Sequence, residues 1–186
     1  MFKPHAPKII ALCGYPGAGK STVQEILHRN YRFRPIDDGL PMRDFAQRHL
    51  GLSYDQVHTQ KGKAEITEFA GVKFENRWFL GELGNAIEKL LGPDAIPTMA
   101  ARKLDPGNFY CVGSVRRDQA KVWKRHGALV IEVDRPGRVA SQYEFDWFDR
   151  SLVDLTLLNS GSLAELSVTI DFIVQKHFPM TVKVVA

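Results

Sequence analysis

Residues 14–21 read Gly-Tyr-Pro-Gly-Ala-Gly-Lys-Ser, the spacing G-x-x-x-x-G-K-[ST] of a phosphate-binding P-loop. Ahead of them, Lys8–Cys13 is a short apolar run of strand type. Behind them, Val23, Ile26 and Leu27 recur at helical spacing. Strand, glycine turn and helix in that order restrict the chain to few folds. The glycines let backbone N–H groups close around a polyphosphate, and the helix start adds the positive end of a dipole. Gly14, Gly17, Ala18, Gly19, Lys20, Ser21 and Thr22 are therefore expected to surround the phosphates of ATP. Lys20 would reach the β- and γ-phosphates, and Ser21 would hold Mg²⁺.

At 186 residues the chain is expected to form a single domain with a full hydrophobic core. Its 44% hydrophobic and 25% charged residues fit a soluble globular protein, and no apolar run approaches a membrane span. The start, Met1-Phe-Lys-Pro-His-Ala-Pro, lacks the apolar stretch of a secretory signal, so a cytoplasmic location is expected. Cys13 and Cys111 each lie in an apolar, strand-like run and read as buried reduced thiols with no catalytic role. The net charge of +4 is spread along the chain without a block of like charges. That spread argues against nucleic acid as a partner and suits an enzyme with anionic substrates. The six histidines are scattered at no metal-ligand spacing, and no motif supports a serine nucleophile or a paired-carboxylate hydrolase.

Periodicity predicts a second, weaker strand over 31–36, ending at Asp37-Asp38-Gly39. Pro41 then opens a helix with Met42, Phe45, Ala46 and Leu50 on one face. Ser53-Tyr-Asp-Gln56 is a capping box, and 65–74 reads as a hairpin turning at Ala70-Gly71. Residues 76–91 read as a helix with Gly81 and Gly84 as interruptions, and 97–104 as another. Phe109–Val112 is the third strand and runs into Gly113-Ser-Val-Arg-Arg117, with a helix to His126 after it. Residues 128–133 form the fourth strand and Leu155–Leu158 the fifth. Ser162-Leu-Ala-Glu165 caps a last helix with Leu163, Leu166, Ile170, Ile173 and Val174 on one face. Alternating strands and helices imply an α/β fold: a central, mainly parallel five-stranded sheet in three layers, helices on both faces. Ligands of such sheets bind beyond the carboxyl ends of the strands, which puts the P-loop, Asp37/Asp38, Ser114 to Arg117 and Asp134 to Arg138 on one rim.

Phosphoryl transfer needs two substrates in line, water excluded and developing charge neutralised. Arg116 and Arg117 at the rim offer forks for an acceptor phosphate. Asp37 and Asp38 can order Mg²⁺ through water, accept from a sugar hydroxyl, or serve only the turn. Arg43 sits one turn into the next helix, where it can serve the acceptor or simply a solvated face. Arg135 and Arg138 flank Pro136-Gly137 and would arm a lid over about 134–150, or belong to an ordinary surface loop, with Arg150 the next candidate.

In these stretches the chain resembles the deoxynucleoside monophosphate kinases of phages and bacteria, within the P-loop nucleoside monophosphate kinase group. The resemblance runs, in order, through the P-loop, Asp37-Asp-Gly-Leu-Pro-Met-Arg-Asp44, Asn76-Arg77 with Leu83-Gly-Asn85, Val112-Gly-Ser-Val-Arg-Arg117, and Leu158-Asn-Ser-Gly-Ser-Leu-Ala-Glu-Leu166. It implies transfer of the ATP γ-phosphate to a deoxynucleoside monophosphate, with Mg²⁺ as cofactor. It also implies a small acceptor-binding insertion at about 53–104. Asp38, Arg43, Arg77 and Arg116 would then lie around the acceptor, with Arg77 and Arg116 on its phosphate, and Asn159 and Ser160 near the adenine of ATP. Where the family often has an acidic residue before the Val-Arg pair, this chain has Ser114. Dephospho-coenzyme A kinase, which shares the P-loop and the Asn-Ser-Gly-Ser ending, is the nearest enzyme alternative. An ATP-dependent switch or DNA-handling ATPase is the alternative of another class. The expected partners are ATP and a deoxynucleoside monophosphate, with no membrane and with a homodimer left open.

Overall fold

The computed structural model describes residues 8–179 and 183–184, which fall into two compact units. The first holds the described residues up to Asp37 and those from Ala100 onward; the second spans Asp38–Met99.

The first unit is built on β1 (Lys8–Cys13), β2 (Arg34–Ile36), β5 (Phe109–Val112), β6 (Leu129–Asp134) and β7 (Leu155–Leu158). They form one parallel sheet in the order β2-β5-β1-β6-β7. β1 is in the middle because it alternates nothing: every residue from Ile9 to Cys13 is buried, as a strand covered on both faces requires. Its side chains part to two cores. Ile10 and Leu12 pack with α1 (Lys20–Tyr31) and α8 (Leu163–His177), whereas Ile9, Ala11 and Cys13 pack with α7 (Ala120–Arg125) and Phe148. The three-layer arrangement expected from the sequence is therefore present.

Several local expectations are corrected. The second strand begins at Arg34, not at 31, because α1 runs on to Tyr31. The Tyr31 ring is buried in the core and its hydroxyl donates to Asp171 of α8, a tertiary contact that extends the helix. Leu163 lies exposed at the start of α8, where the capping box formed by Ser162 and Glu165 does the ordering. The helix expected after Arg117 is short: α7 starts only at Ala120 and ends at Arg125.

The second unit contains α2 (Leu40–Leu50), α3 (Tyr54–His58), α4 (Gln60–Lys63), the hairpin β3 (Ile66–Phe69) and β4 (Val72–Glu75), α5 (Asn76–Leu91) and most of α6 (Ala95–Ala101). Gly81 and Gly84 do not interrupt α5; both are buried, and a Cβ on Gly84 would stand 3.5 Å from Ile96. Phe45 is exposed, leaving Met42 and Ala46 as the buried residues of α2. Asn76 is fully buried because its side chain accepts from Thr67 and donates to the Gly62 carbonyl, knitting hairpin to helix.

Candidate active site

Parallel strands carry their following loops to one end, so the connections after β1, β5 and β6 share the carboxyl edge of the sheet. The loop after β1 is the P-loop. It must pass close under its neighbour: a Cβ on Gly14 would stand 2.3 Å from the Val133 carbonyl oxygen of β6, and Gly14 has φ +133°. Only glycine meets both demands. Gly19 ends the loop at φ 103° as the N-cap of α1, without a side-chain cap and without an acidic residue in the first turn. The first turn of the helix thus carries no carboxylate and no side-chain cap, which suits an anion site.

Lys20 Nζ donates to the carbonyls of Gly14 at 2.6 Å and Tyr15 at 3.1 Å, so the cation lies within its own loop. Ser21 follows it and is exposed. Asn159, just past β7, donates from Nδ2 to the Ala18 carbonyl at 2.8 Å and from its backbone to Asp134. Its amide nitrogen stands 2.4 Å from where a Cβ on Gly19 would be. Sequence reading singled out Asn159 for the adenine; its side-chain bond to Ala18 is to the glycine loop itself. Ser160 beside it is exposed.

After β6 the chain turns at Pro136-Gly137, with the Arg138 N–H donating to the Arg135 carbonyl. The turn is exposed, and the Arg138 guanidinium carbon lies 3.2 Å from a Cβ built on Gly17. One of the two lid candidates thus rests on the loop, whereas Arg135 is exposed at the turn. The rest of the β6–β7 connection is anchored. Phe145 and Phe148 are buried, and Phe148 pairs with Arg117 in a short parallel bridge. Arg117 carries a left-handed φ of 46°, uncommon away from glycine, as it forms that bridge.

Arg116 lies over the Phe145 ring, with Nη2 4.0 Å from Asp146, while Ser141 donates to Asp146 at 2.6 Å. Asp37 is half-buried at the end of β2. In the second unit, Asp38 is buried, the Arg43 guanidinium packs on Gly39, and Arg77 donates to Gln60 at 3.1 Å.

Sequence reading overlooked Tyr15, Gln24 and Glu132. Gln24 donates from α1 to the Cys111 carbonyl at 2.8 Å and packs on Gly113, where β5 ends. Glu132 is buried in β6, in register with Cys13, and accepts from Arg150 at 2.9 Å. A charged residue within an apolar strand was the signal available for Glu132. Burial, with Glu132 nearby, pushes the Cys13 thiol up to about 12, and burial also raises Cys111, so both thiols stay protonated and unreactive. Among the described residues no group of His, Cys, Asp or Glu could hold a metal ion by itself, and no helix is long and apolar enough to cross a membrane. An exposed Ser21 hydroxyl beside the loop suits Mg²⁺, which takes few protein ligands and keeps waters and substrate oxygens.

No protein-family model matches this chain, and no curated protein does. Solved structures do resemble it. A candidate kinase from Chloroflexus aurantiacus is 12% identical with a TM-score of 0.53, covering 94% of this chain and 100% of its own. Dephospho-CoA kinase from Campylobacter jejuni is 14% identical with a TM-score of 0.45, over 91% and 96% of the two chains. Shikimate kinase from Aquifex aeolicus is 17% identical with a TM-score of 0.44, over 92% and 98%. At such identities the likeness concerns the fold.

Proposed function

We propose that this protein is an ATP-dependent small-molecule kinase that passes the γ-phosphate of ATP to a deoxynucleoside monophosphate. The observation that carries the reading is the P-loop: Lys20 held by the carbonyls of Gly14 and Tyr15, at the open start of α1 and the carboxyl end of the central strand. That arrangement supports gripping the phosphates of ATP. Ser21 and the nucleotide's phosphates would hold Mg²⁺, which would supply neutralisation of the charge that develops during transfer. Exchange of two carbonyls for phosphate oxygens would swing Lys20 onto the transferring group. Arg138, resting on Gly17, would add a second cation as the exposed 135–140 turn closes and excludes water.

The choice of acceptor rests on the sequence resemblance. In this reading Arg116 and Arg117 serve the acceptor phosphate from the loop after β5, and Asp37, Asp38, Arg43 and Arg77 serve the acceptor as well. Asn159 and Ser160 would border the nucleotide's base. The test is a steady-state panel: ATP·Mg²⁺ with each of the four deoxynucleoside monophosphates, and with dephospho-coenzyme A as a separate arm. Acceptor-dependent diphosphate formation is expected with at least one nucleotide. Transfer to dephospho-coenzyme A alone would reject the acceptor class, and DNA-stimulated hydrolysis without any acceptor would reject the kinase.

A further inference from the structure

Glu132 poses a question that phosphoryl transfer does not answer. It is the acidic residue of an otherwise apolar strand segment, Val130-Ile-Glu-Val133, and its side chain is only 10% exposed. A buried carboxylate without a countercharge is strongly disfavoured, so its partner matters. The partner is Arg150, whose Nη2 donates to Oε1 at 2.9 Å; this bond and charge raise the pKa of an already permanent cation.

Arg150 is held by more than Glu132. It opens the 3₁₀ turn Arg150–Leu152, capped by Asp149 and two residues after Phe148, which is buried and paired to Arg117. Its backbone is therefore fixed. Its guanidinium lies over two rings at once, 5.5 Å from the centroid of Tyr15 and 5.6 Å from that of Phe148, and those rings stand 5.7 Å apart. Tyr15 belongs to the P-loop, and its carbonyl accepts both the Ala18 N–H and Lys20 Nζ at 3.1 Å. One residue thus carries the guanidinium on its ring and the phosphate-binding lysine on its main chain.

We propose that Arg150 is a positioning residue for the P-loop: anchored by Glu132, it clamps the Tyr15 ring against Phe148 and so sets the backbone that receives the phosphates. Physically, a loop with Gly14, Gly17 and Gly19 has much conformational freedom to lose when a polyphosphate binds. A clamp on the ring between them removes part of that freedom beforehand, and preorganisation of this kind appears as affinity. At a partly exposed guanidinium, ring contacts of this type each favour the clamped arrangement roughly two- to fivefold. Arg150 acts here through Tyr15 and not by touching the transferring group.

The inference rests on the ATP-binding reading of the loop, and the test separates the two. Binding of a fluorescent ATP analogue with Mg²⁺, kcat at saturating ATP and melting temperature are measured for wild type, Arg150→Met, Tyr15→Leu and the double variant. Each single change is expected to weaken nucleotide binding on the order of threefold to tenfold, with kcat at saturation within about twofold. The double variant is expected to bind no worse than the weaker single, because both changes release one clamp. Glu132→Gln, which keeps an acceptor but removes the charge, is expected to fall between wild type and Arg150→Met, and it serves if Arg150→Met does not fold. Additive losses, or a fall in kcat with binding unchanged, would overturn the clamp in favour of direct contact by Arg150. Lower melting with normal binding would reduce the trio to packing and overturn it too. Failure of wild type to bind the analogue would remove both the ATP reading and this one.

Discussion

Lys20 Nζ donates to the Gly14 carbonyl at 2.6 Å, so the loop's only cation bonds to the residue that opens the loop. Because those bonds are to carbonyls, a polyphosphate would have to replace them, and Lys20 would trade neutral acceptors for charged ones. Lys20→Ala should therefore leave the fold nearly unchanged and remove the group that neutralises the transferring phosphoryl. A rate loss on the order of a thousandfold is expected, with melting within a few degrees of wild type. Near-normal turnover in a normally melting Lys20→Ala protein would exclude the P-loop from the mechanism.

Gly14 and Gly19 should respond differently to alanine. At Gly14 the added Cβ meets the backbone of Val133, which cannot yield, whereas at Gly19 it meets the Asn159 amide, which can. Both positions also impose a positive φ. Gly14→Ala is expected to destabilise the protein by several kcal/mol, and Gly19→Ala by about 1–3 kcal/mol. Adding Asn159→Ala to Gly19→Ala should recover part of that loss in urea unfolding, although Asn159→Ala alone destabilises by about 1 kcal/mol through its lost bond to Ala18. If Asn159→Ala lowers stability equally in both backgrounds, the contact is not what limits Gly19.

Most of the first unit's strands were legible because each is an apolar run with a turn signal at its end. Phe109–Val112 and Leu155–Leu158 begin and stop where the sequence says. The end of α1 was not legible: Arg32 caps it in a left-handed conformation at φ 59°, a place where glycine would have announced the stop. Phe45 and Leu163 have the right spacing for a core face, yet both lie exposed, Phe45 beside the His49 ring, since periodicity describes a stripe and not what packs on it. In the candidate site, the glycine loop was legible as a turn between strand and helix, and the structure has it between β1 and α1. The Arg150–Glu132–Tyr15 cluster was not, since the parallel pairing of β6 with β1 and the return of the 143–150 segment bring those residues together.

Arg138 and Arg135 should act on turnover more than on affinity, because a closing cation meets the phosphoryl group most closely in the transition state. Arg138→Ala is expected to lower kcat on the order of ten- to a hundredfold with a small change in ATP KM, and Arg135→Ala to have a lesser effect. Unchanged turnover in the double variant, for every accepted nucleotide, would move the lid elsewhere.

Arg77→Ala and Arg116→Ala should each raise the acceptor KM and lower kcat/KM by roughly ten- to a thousandfold, with little change in ATP affinity. Lysine at either position should restore only part, since it keeps charge but loses the fork. Weakened ATP binding with a normal acceptor KM would reject the assignment.

The two thiols give a pH signature. Burial raises the Cys13 pKa from 9.0 to about 12 and raises Cys111 as well. A group with a raised folded pKa stabilises fully below its unfolded pKa and loses that contribution as pH rises toward the folded value. Stability should therefore fall between about pH 9 and 12, and less steeply in Cys13→Ala. At pH 8 neither thiol should react with an alkylating reagent until the protein unfolds; rapid labelling of the native protein would contradict the burial.

The central claim is that the γ-phosphate passes directly from ATP to a second small molecule. A single-turnover reaction with γ-labelled ATP, Mg²⁺ and a deoxynucleoside monophosphate, with products separated by charge, measures this most directly. The label is expected in the deoxynucleoside diphosphate, with little released as inorganic phosphate and no transfer by Lys20→Ala. Label released as inorganic phosphate at the same rate with and without acceptor would contradict the account.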